Sequence, residues 1–209
     1  MSRLFTFDMD GTLLPNTTAM IQIAKIMGHT KELEELERQY FYQEIENTVF
    51  AKRVFELWQH LSADTVKDAF ERTPKIKNIK KTLKKIRSEG GVSCLITASP
   101  NFFADHFYDY GFDYIYASRP FNLVEREFTP HLVLHAKDKP LLVDKLCDKL
   151  SFRFEDTIAF GDSISDVALF QNLIHTVSVN GDFHIKNYAK YHYTGLDLME
   201  AMSLVYKTK

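Results

Sequence analysis

Asp8-Met9-Asp10-Gly11-Thr12, which follows directly on the apolar run Leu4-Phe5-Thr6-Phe7, decides how the rest of this chain is read. A short apolar run that ends in such a segment reads as a buried strand opening into a turn. Asp8 and Asp10 are two positions apart, so a chain still extended at Asp8 sends both side chains to one side. Gly11 allows the backbone to leave the strand at once, and the Thr12 hydroxyl can bond the turn that follows. Two carboxylates this close repel each other unless a cation or a proton intervenes. With Mg²⁺ on one of them, that acid stays ionised as a nucleophile while its neighbour holds a proton for a leaving group. Taken alone, the segment reads equally well as an acidic turn, because Asp and Gly are ordinary turn residues.

The downstream sequence shifts that balance. A second apolar run, Val92 to Ile96, ends in Thr97-Ala98-Ser99, and a third, Thr157 to Phe160, ends in Gly161-Asp162-Ser163-Ile164-Ser165-Asp166. Both read as strands opening into polar loops. Lys139 begins a helix-like stretch ahead of the third run. Ligands of open α/β sheets bind beyond the carboxyl ends of the strands, so three strand tips can bring a carboxylate, a hydroxyl, an ammonium and a further acid pair to one point. A transferring phosphoryl group needs such donors and positive charge around its equatorial oxygens.

Asp8-Met9-Asp10-Gly11-Thr12, Thr97, Lys139, and Gly161-Asp162 with Asp166 together resemble the four motifs of the haloacid dehalogenase superfamily of phosphatases, in order, over about Arg3 to Asn180. The stretch between the first motif and the second strand resembles the small helical cap of the phosphoserine phosphatase-like branch. The resemblance implies a Rossmann-like parallel sheet with helices on both faces and an inserted α-helical cap. It also implies Mg²⁺ as cofactor and a small phosphate monoester as substrate. Asp8 would be the nucleophile, and Asp10 the general acid/base whose backbone carbonyl also binds the metal. Thr97, Ala98, Lys139 and Gly11 would hold phosphate. Asp8, Asp10, Asp162 and Asp166 would make up the metal site, Asp166 supporting Lys139 as well.

Composition agrees with a compact α/β enzyme. At 209 residues, with 45% hydrophobic and 13% aromatic residues, the chain can bury a core domain and a modest insertion. A formal charge of −2 gives no global attraction to nucleic acid or anionic lipid. Cys94 and Cys147 have neither metal-ligand nor CxxC spacing, so they read as packing residues in a reducing compartment. No run approaches the ~20 apolar residues of a membrane helix, and the chain is expected to enter a strand after three residues. The expected location is the cytoplasm, with the chain a monomer or homodimer that binds neither nucleic acid nor membrane.

After Thr12 the pattern turns helical. Ala19 to Met27 ends at Gly28, a C-cap; Glu32 to Tyr42, Val49 to Leu61 and Ala63 to Arg72 follow, the last opened by Ser62 as N-cap. Four helical pieces without a strand predict a cap over residues 15–74, bounded near Pro15 and Pro74, with the core in residues 1–14 and 75–209. Beyond Pro74 helices and strands alternate, which predicts a parallel sheet. Its strands are Leu4 to Phe7, Val92 to Ile96, Tyr114 to Ala117, Thr157 to Phe160 and Thr176 to Val179, and Leu123 to Phe128 pairs with Leu132 to His135 as an antiparallel excursion. Ile76, Ile79, Leu83 and Ile86 recur at helical spacing, so the surrounding lysines form the wet face of a core-packed helix. His131 and His135 lack the glutamate of a zinc-protease helix. Phe102, Phe103, Phe107 and Tyr110 read as one helix on the sheet, and the aromatics from Tyr40 to Trp58 read as the core of the cap.

In the resembling branch an acid soon after the first motif reads the substrate amine, and a cap arginine reads its carboxylate. Arg53 fits the arginine position, whereas the place of the acid falls at Thr17 or Thr18. The expectation is therefore an anionic or polyhydroxylated phosphate ester, with phosphoserine a poor substrate. Two other readings stay open: phosphoserine phosphatase proper, and a non-catalytic phospho-acceptor or binding module on the same fold.

Overall fold

The fold, seen in a computed structural model, is described for residues 3–206; residues 1–2 and 207–209 of the expected core segments lie outside the described residues. In chain order the elements are β1 (Leu4–Phe7), α1 (Ala19–Met27), α2 (Thr30–Phe41), α3 (Asn47–Leu57), α4 (Ala63–Arg72), α5 (Ile79–Ser88), β2 (Val92–Pro100) and α6 (Asn101–Ala104). They continue with β3 (Tyr114–Ser118), β4 (Phe121–Asn122), β5 (Glu127–Phe128), α7 (Asp138–Leu150), β6 (Ile158–Gly161), α8 (Ile164–Phe170), β7 (His175–Val179), α9 (Phe183–Lys186), β8 (Tyr191–Tyr193) and α10 (Leu198–Tyr206).

Six strands form one sheet in the order β3-β2-β1-β6-β7-β8, every neighbouring pair parallel. Successive side chains alternate between its two faces, as the strand period requires. Phe5, Phe7, Leu95, Ile158, Phe160 and Val177 enter one apolar cluster, while Leu4, Cys94, Ile96 and Ala159 enter the other. The first cluster also takes Leu83 and Ile86 of α5, Met202 of α10 and the inner faces of α1–α4; the second takes Val143 and Leu146 of α7 and Leu169 of α8. Both faces of the sheet are thus covered, which is why its strands read as nearly continuous apolar runs.

Helix ends follow the local chemistry of the chain. Gly28 closes α1 in the left-handed region at φ 77°, and the Ser62 hydroxyl accepts from the Thr65 N–H at the start of α4. The chain leaves the sheet at Leu13 for α1–α4 and returns at Ile76, whose N–H donates to the Leu13 carbonyl at 2.9 Å.

The structure departs from expectation in three places. The antiparallel excursion is only Phe121–Asn122 against Glu127–Phe128, and Pro130–Leu132 is a single 3-10 turn, because Pro130 has no N–H to give a ladder. The expected helix carrying Phe102 to Tyr110 is a four-residue α6 followed by 3-10 turns. β8 was not anticipated: Tyr191-His192-Tyr193 is three residues long, and its middle residue is exposed. No helix among the described residues is long and apolar enough to cross a membrane.

Candidate active site

β1 lies between β2 and β6, so the tips of these three strands are neighbours. Phe7 pairs with Leu95 on one side and Phe160 on the other, and the Asp8 N–H donates to the Phe160 carbonyl at 2.9 Å. Asp8 is therefore held as the last rung of the ladder, with Thr97 in the second half of β2 and Asp162 just past β6.

Lys139, in the first turn of α7, reaches this point from the side. Its ammonium donates to Asp8 Oδ1 at 2.7 Å and to Asp166 Oδ1 at 2.6 Å, and the side chain is 1% exposed. Ligand oxygens of Asp8, Asp162 and Asp166 all lie within 4.8 Å of one another. Asp166 has a second task, since its Oδ2 accepts from the backbone N–H groups of Asp162 and Ser163 and so fixes the loop after β6.

Two glycines make room for these carboxylates. A Cβ at Gly11, where φ is +79°, would stand 2.1 Å from Asp162 Oδ2, and one at Gly161 would stand 2.4 Å from Asp166 Cγ. Gly11 was expected to bind phosphate, but its N–H points into its own loop, to the carbonyls of Leu14 at 3.0 Å and Thr17 at 3.3 Å. Its contribution is space for Asp162, which also accepts from the Thr12 hydroxyl at 3.2 Å.

Asp10 is clamped by two donors. The Ala19 N–H at the start of α1 donates to its Oδ1 at 2.6 Å, and the Ser99 hydroxyl donates to its Oδ2 at 2.5 Å. Thr97 Oγ1 accepts from the Ser99 N–H at 3.0 Å, which shapes the turn at the end of β2. Sequence reading gave Ser99 no role, although it stands in the same strand-end tripeptide as Thr97 and Ala98.

Charge is not balanced in this pocket. Burial raises the Asp8 carboxyl above the ordinary range, Lys139 pulls it back, and Asp166 and Asp10 push it up again. Burial also raises Asp162, reinforced by Asp8 and Asp166. Burial would lower the Lys139 ammonium, but Asp166 and Asp8 outweigh it and hold it up. Asp10 is raised, chiefly by burial, against the pull of Ser99 and Ala19. Three clustered carboxylates facing one ammonium leave an excess of hard, anionic oxygen, a donor set that suits a small divalent cation such as Mg²⁺.

The remaining predicted residues are not part of this cluster. The Thr17 hydroxyl accepts from Gln22 Nε2 at 2.6 Å, and Thr18 caps α1 by accepting from the Ile21 N–H. Arg53 is exposed, and its guanidinium donates to Gln39 Oε1 at 2.9 Å on the outer side of α2. The corner expected to lack a carboxylate receives one from α2, since the Thr18 hydroxyl donates to Glu37 Oε1 at 3.2 Å. The sequence did hold a signal for Glu37: it takes the i+4 place in the stripe Leu33, Leu36, Tyr40, where an apolar residue is the rule.

Beyond Ala98 a cavity of about 20 Å³ is walled by Met20, Asn47, Phe50, Ala51 and Pro100. The roomier groove, about 360 Å³, runs along β3 and α7 past Tyr116, Arg119, Leu132, Leu141 and Lys145. It has no share in the carboxylate cluster, so volume alone does not mark the chemistry here.

The haloacid dehalogenase-like hydrolase family model matches residues 5–171. The phosphoserine phosphatase of Methanocaldococcus jannaschii is 22% identical over 173 residues, 81% of each chain. Among solved structures, a phospho-aspartyl intermediate analogue of phosphoserine phosphatase superposes with a TM-score of 0.82 at 19% identity, covering 98% of this chain and 99% of that one. A haloacid dehalogenase family hydrolase from Salmonella enterica serovar Typhi gives 0.85 at 16% identity, covering 99% of this chain and 72% of that one.

Proposed function

Because this chain belongs to the haloacid dehalogenase-like hydrolase family, we propose that it is a Mg²⁺-dependent phosphomonoesterase that works through an aspartyl-phosphate on Asp8. The observation that carries this reading is Asp8 itself. It is a buried carboxylate at the end of a central strand, paired with Lys139 at 2.7 Å and grouped with Asp162 and Asp166, with a second, separately clamped acid two residues on.

In the first step an Asp8 oxygen attacks phosphorus, the ester P–O bond breaks, and the electron pair leaves on the alcohol oxygen. Asp10, whose carboxyl burial pushes above its ordinary range, protonates that oxygen. In the second step Asp10, now a base, takes a proton from water. The resulting hydroxide attacks phosphorus, frees Asp8 and releases inorganic phosphate. Lys139 stays charged throughout and offsets the negative charge on Asp8 and on the phosphoryl oxygens. Thr97 and Ala98, near the end of β2, would hold the phosphoryl group; Thr97 lies within hydrogen-bond influence of Asp10, which supports its part in this. Asp8, Asp162 and the Asp10 carbonyl would hold Mg²⁺, with Asp166 steadying the set; when bound, the ion would disperse charge on the transferring group and keep Asp8 ionised.

Helices α1–α4, in residues 15–74, act as a cap that supplies the wall around the leaving group. The joining of their two ends at Leu13 and Ile76 supports a unit inserted as a whole. The substrate is a small phosphate monoester, the enzyme is cytoplasmic, and it is a monomer or homodimer. A phospho-acceptor switch is the weaker reading, because it has no use for Asp10 and its two dedicated donors.

Turnover of an aryl phosphate with Mg²⁺ by the wild type and by Asp8→Asn tests the proposal. The amide is a poor nucleophile, so the variant should be inactive while keeping the wild-type circular dichroism spectrum. Wild-type rates in that variant would remove Asp8 from the mechanism.

A further inference from the structure

The groove along β3 and α7 has no part in the chemistry at Asp8, yet it has the makings of a ligand site. β3 is an edge strand, and its Tyr116 and Ala117 share with α7 a groove of about 360 Å³. Small-molecule sites take about 300–1,000 Å³, whereas a stable protein interface needs more than about 1,000 Å² of surface. The α7 wall is one stripe of the helix, because Asp138, Leu141, Leu142 and Lys145 recur at intervals of three, one and three. Lys139 leaves the same first turn in a different direction: it is buried and reaches Asp8. Groove and carboxylate cluster are thus separate places on one helix.

Two features of the lining decide what it takes. Leu132 and Leu141 are 44% and 59% exposed, and with the half-buried Tyr116 they leave an apolar surface open to water. The charge of the lining is in excess on the positive side. Lys145 makes no ion pair among the described residues, and Arg119 meets Asp105 only at 3.6 Å. Asp138 is the one carboxylate of the lining, and its Oδ2 already accepts from the His135 N–H at 2.8 Å. An inorganic anion would leave the leucines wet, and a neutral apolar ligand would leave the cations unanswered. We propose that this groove is a second binding site, separate from the Asp8 centre, that takes a small aromatic carboxylate. The ring system would lie on Leu132, Leu141 and Tyr116, and the carboxylate would meet Arg119 and Lys145.

The test titrates 1-naphthoate and its uncharged counterpart 1-naphthamide into the full chain by calorimetry at low salt. Naphthoate should fill one saturable site roughly 3- to 10-fold more tightly than the amide, since exposed charge pairs are weak, and the preference should shrink as salt rises. The double variant Arg119→Gln/Lys145→Gln should bind both probes alike, with the affinity of the amide, and Leu141→Asp should weaken both. All three side chains are exposed, so these substitutions leave the core intact. Absence of saturable binding, equal affinity for the two probes, or variants that bind like the wild type would each overturn the proposal. Mg²⁺ with inorganic phosphate separates the groove from the strand-tip cluster. Naphthoate should stay bound in their presence; its displacement would move it to the Asp8 centre and overturn the second site. Binding alone is read, so the result stands whatever Asp8→Asn shows about turnover.

Discussion

The Ser99 hydroxyl donates to Asp10 Oδ2 at 2.5 Å across a separation of 89 residues, tying the loop after β1 to the end of β2. The bond favours the ionised form of Asp10 and opposes the rise that burial causes. Ser99→Ala should therefore move the pH limb that reports Asp10 upward and lower kcat by roughly 10- to 100-fold, the factor for one hydrogen bond to a charged group. The kcat–pH profiles of wild type and variant decide it, and superimposable profiles would deny Ser99 any hold on Asp10.

Asp10→Asn should hurt substrates in proportion to the basicity of their leaving groups. An aryl phosphate leaves without a proton, whereas an alkoxide does not, so formation of the phosphoenzyme should be slowed far more for alkyl esters. Rapid-quench measurement of the phosphoenzyme with both ester types gives the comparison. Equal slowing would take the acid role away from Asp10.

Metal-free protein should lose stability as pH rises. Asp8 and Asp162 have folded pKa values raised above 3.8, so the folded state binds their protons more tightly than the unfolded chain does. That stabilisation is complete below the unfolded value and disappears as pH climbs through the raised values, into and beyond neutrality. Thermal melts in chelator from pH 5 to 8 should show a falling Tm, and added Mg²⁺ should restore more of it at pH 8 than at pH 5. A metal-free Tm that rises over this window would contradict the charge balance described for the pocket.

Gly161→Ala should disturb the site although it replaces no functional side chain. The new Cβ would stand 2.4 Å from Asp166 Cγ, so the carboxylate must move away from the loop N–H groups it accepts from and from Lys139. Overpacking of this kind costs about 1–3 kcal/mol, and Tm falls by roughly 2–4 °C per kcal/mol in a domain of this size. Calorimetry, together with a Mg²⁺ titration that should show weaker binding, checks it; unchanged values for both would mean the loop absorbs the methyl group.

The central sheet was legible because its strands are covered on both faces, and a run such as Val92 to Ile96 has few other uses. The strand-tip acids were legible for a related reason: Asp8, Asp10, Asp162 and Asp166 interrupt apolar runs where turn residues and charge arrive together. What escaped depends on contacts between distant segments. Ser99 looks like an ordinary strand-end hydroxyl until α1 and β2 bring Asp10 beneath it. Glu37 looks like one of several acids on α2 until the helix is docked and that face turns inward. β8 is too short, and too polar at its centre, to carry a pattern of its own.

The position of β1 between β2 and β6 has a consequence for the growing chain. Asp8 emerges first from synthesis, but its ammonium comes 131 residues later, and the hydroxyl of Thr12 waits 150 residues for Asp162. Contacts so remote in sequence close late, after the intervening loops have lost their freedom. A nascent or truncated chain carries the Asp8 carboxylate without the ammonium and the neighbouring strand tips that surround it in the fold. The strand-tip cluster is in this sense a proof of assembly: it exists only when the first strand has been enclosed by strands made long after it.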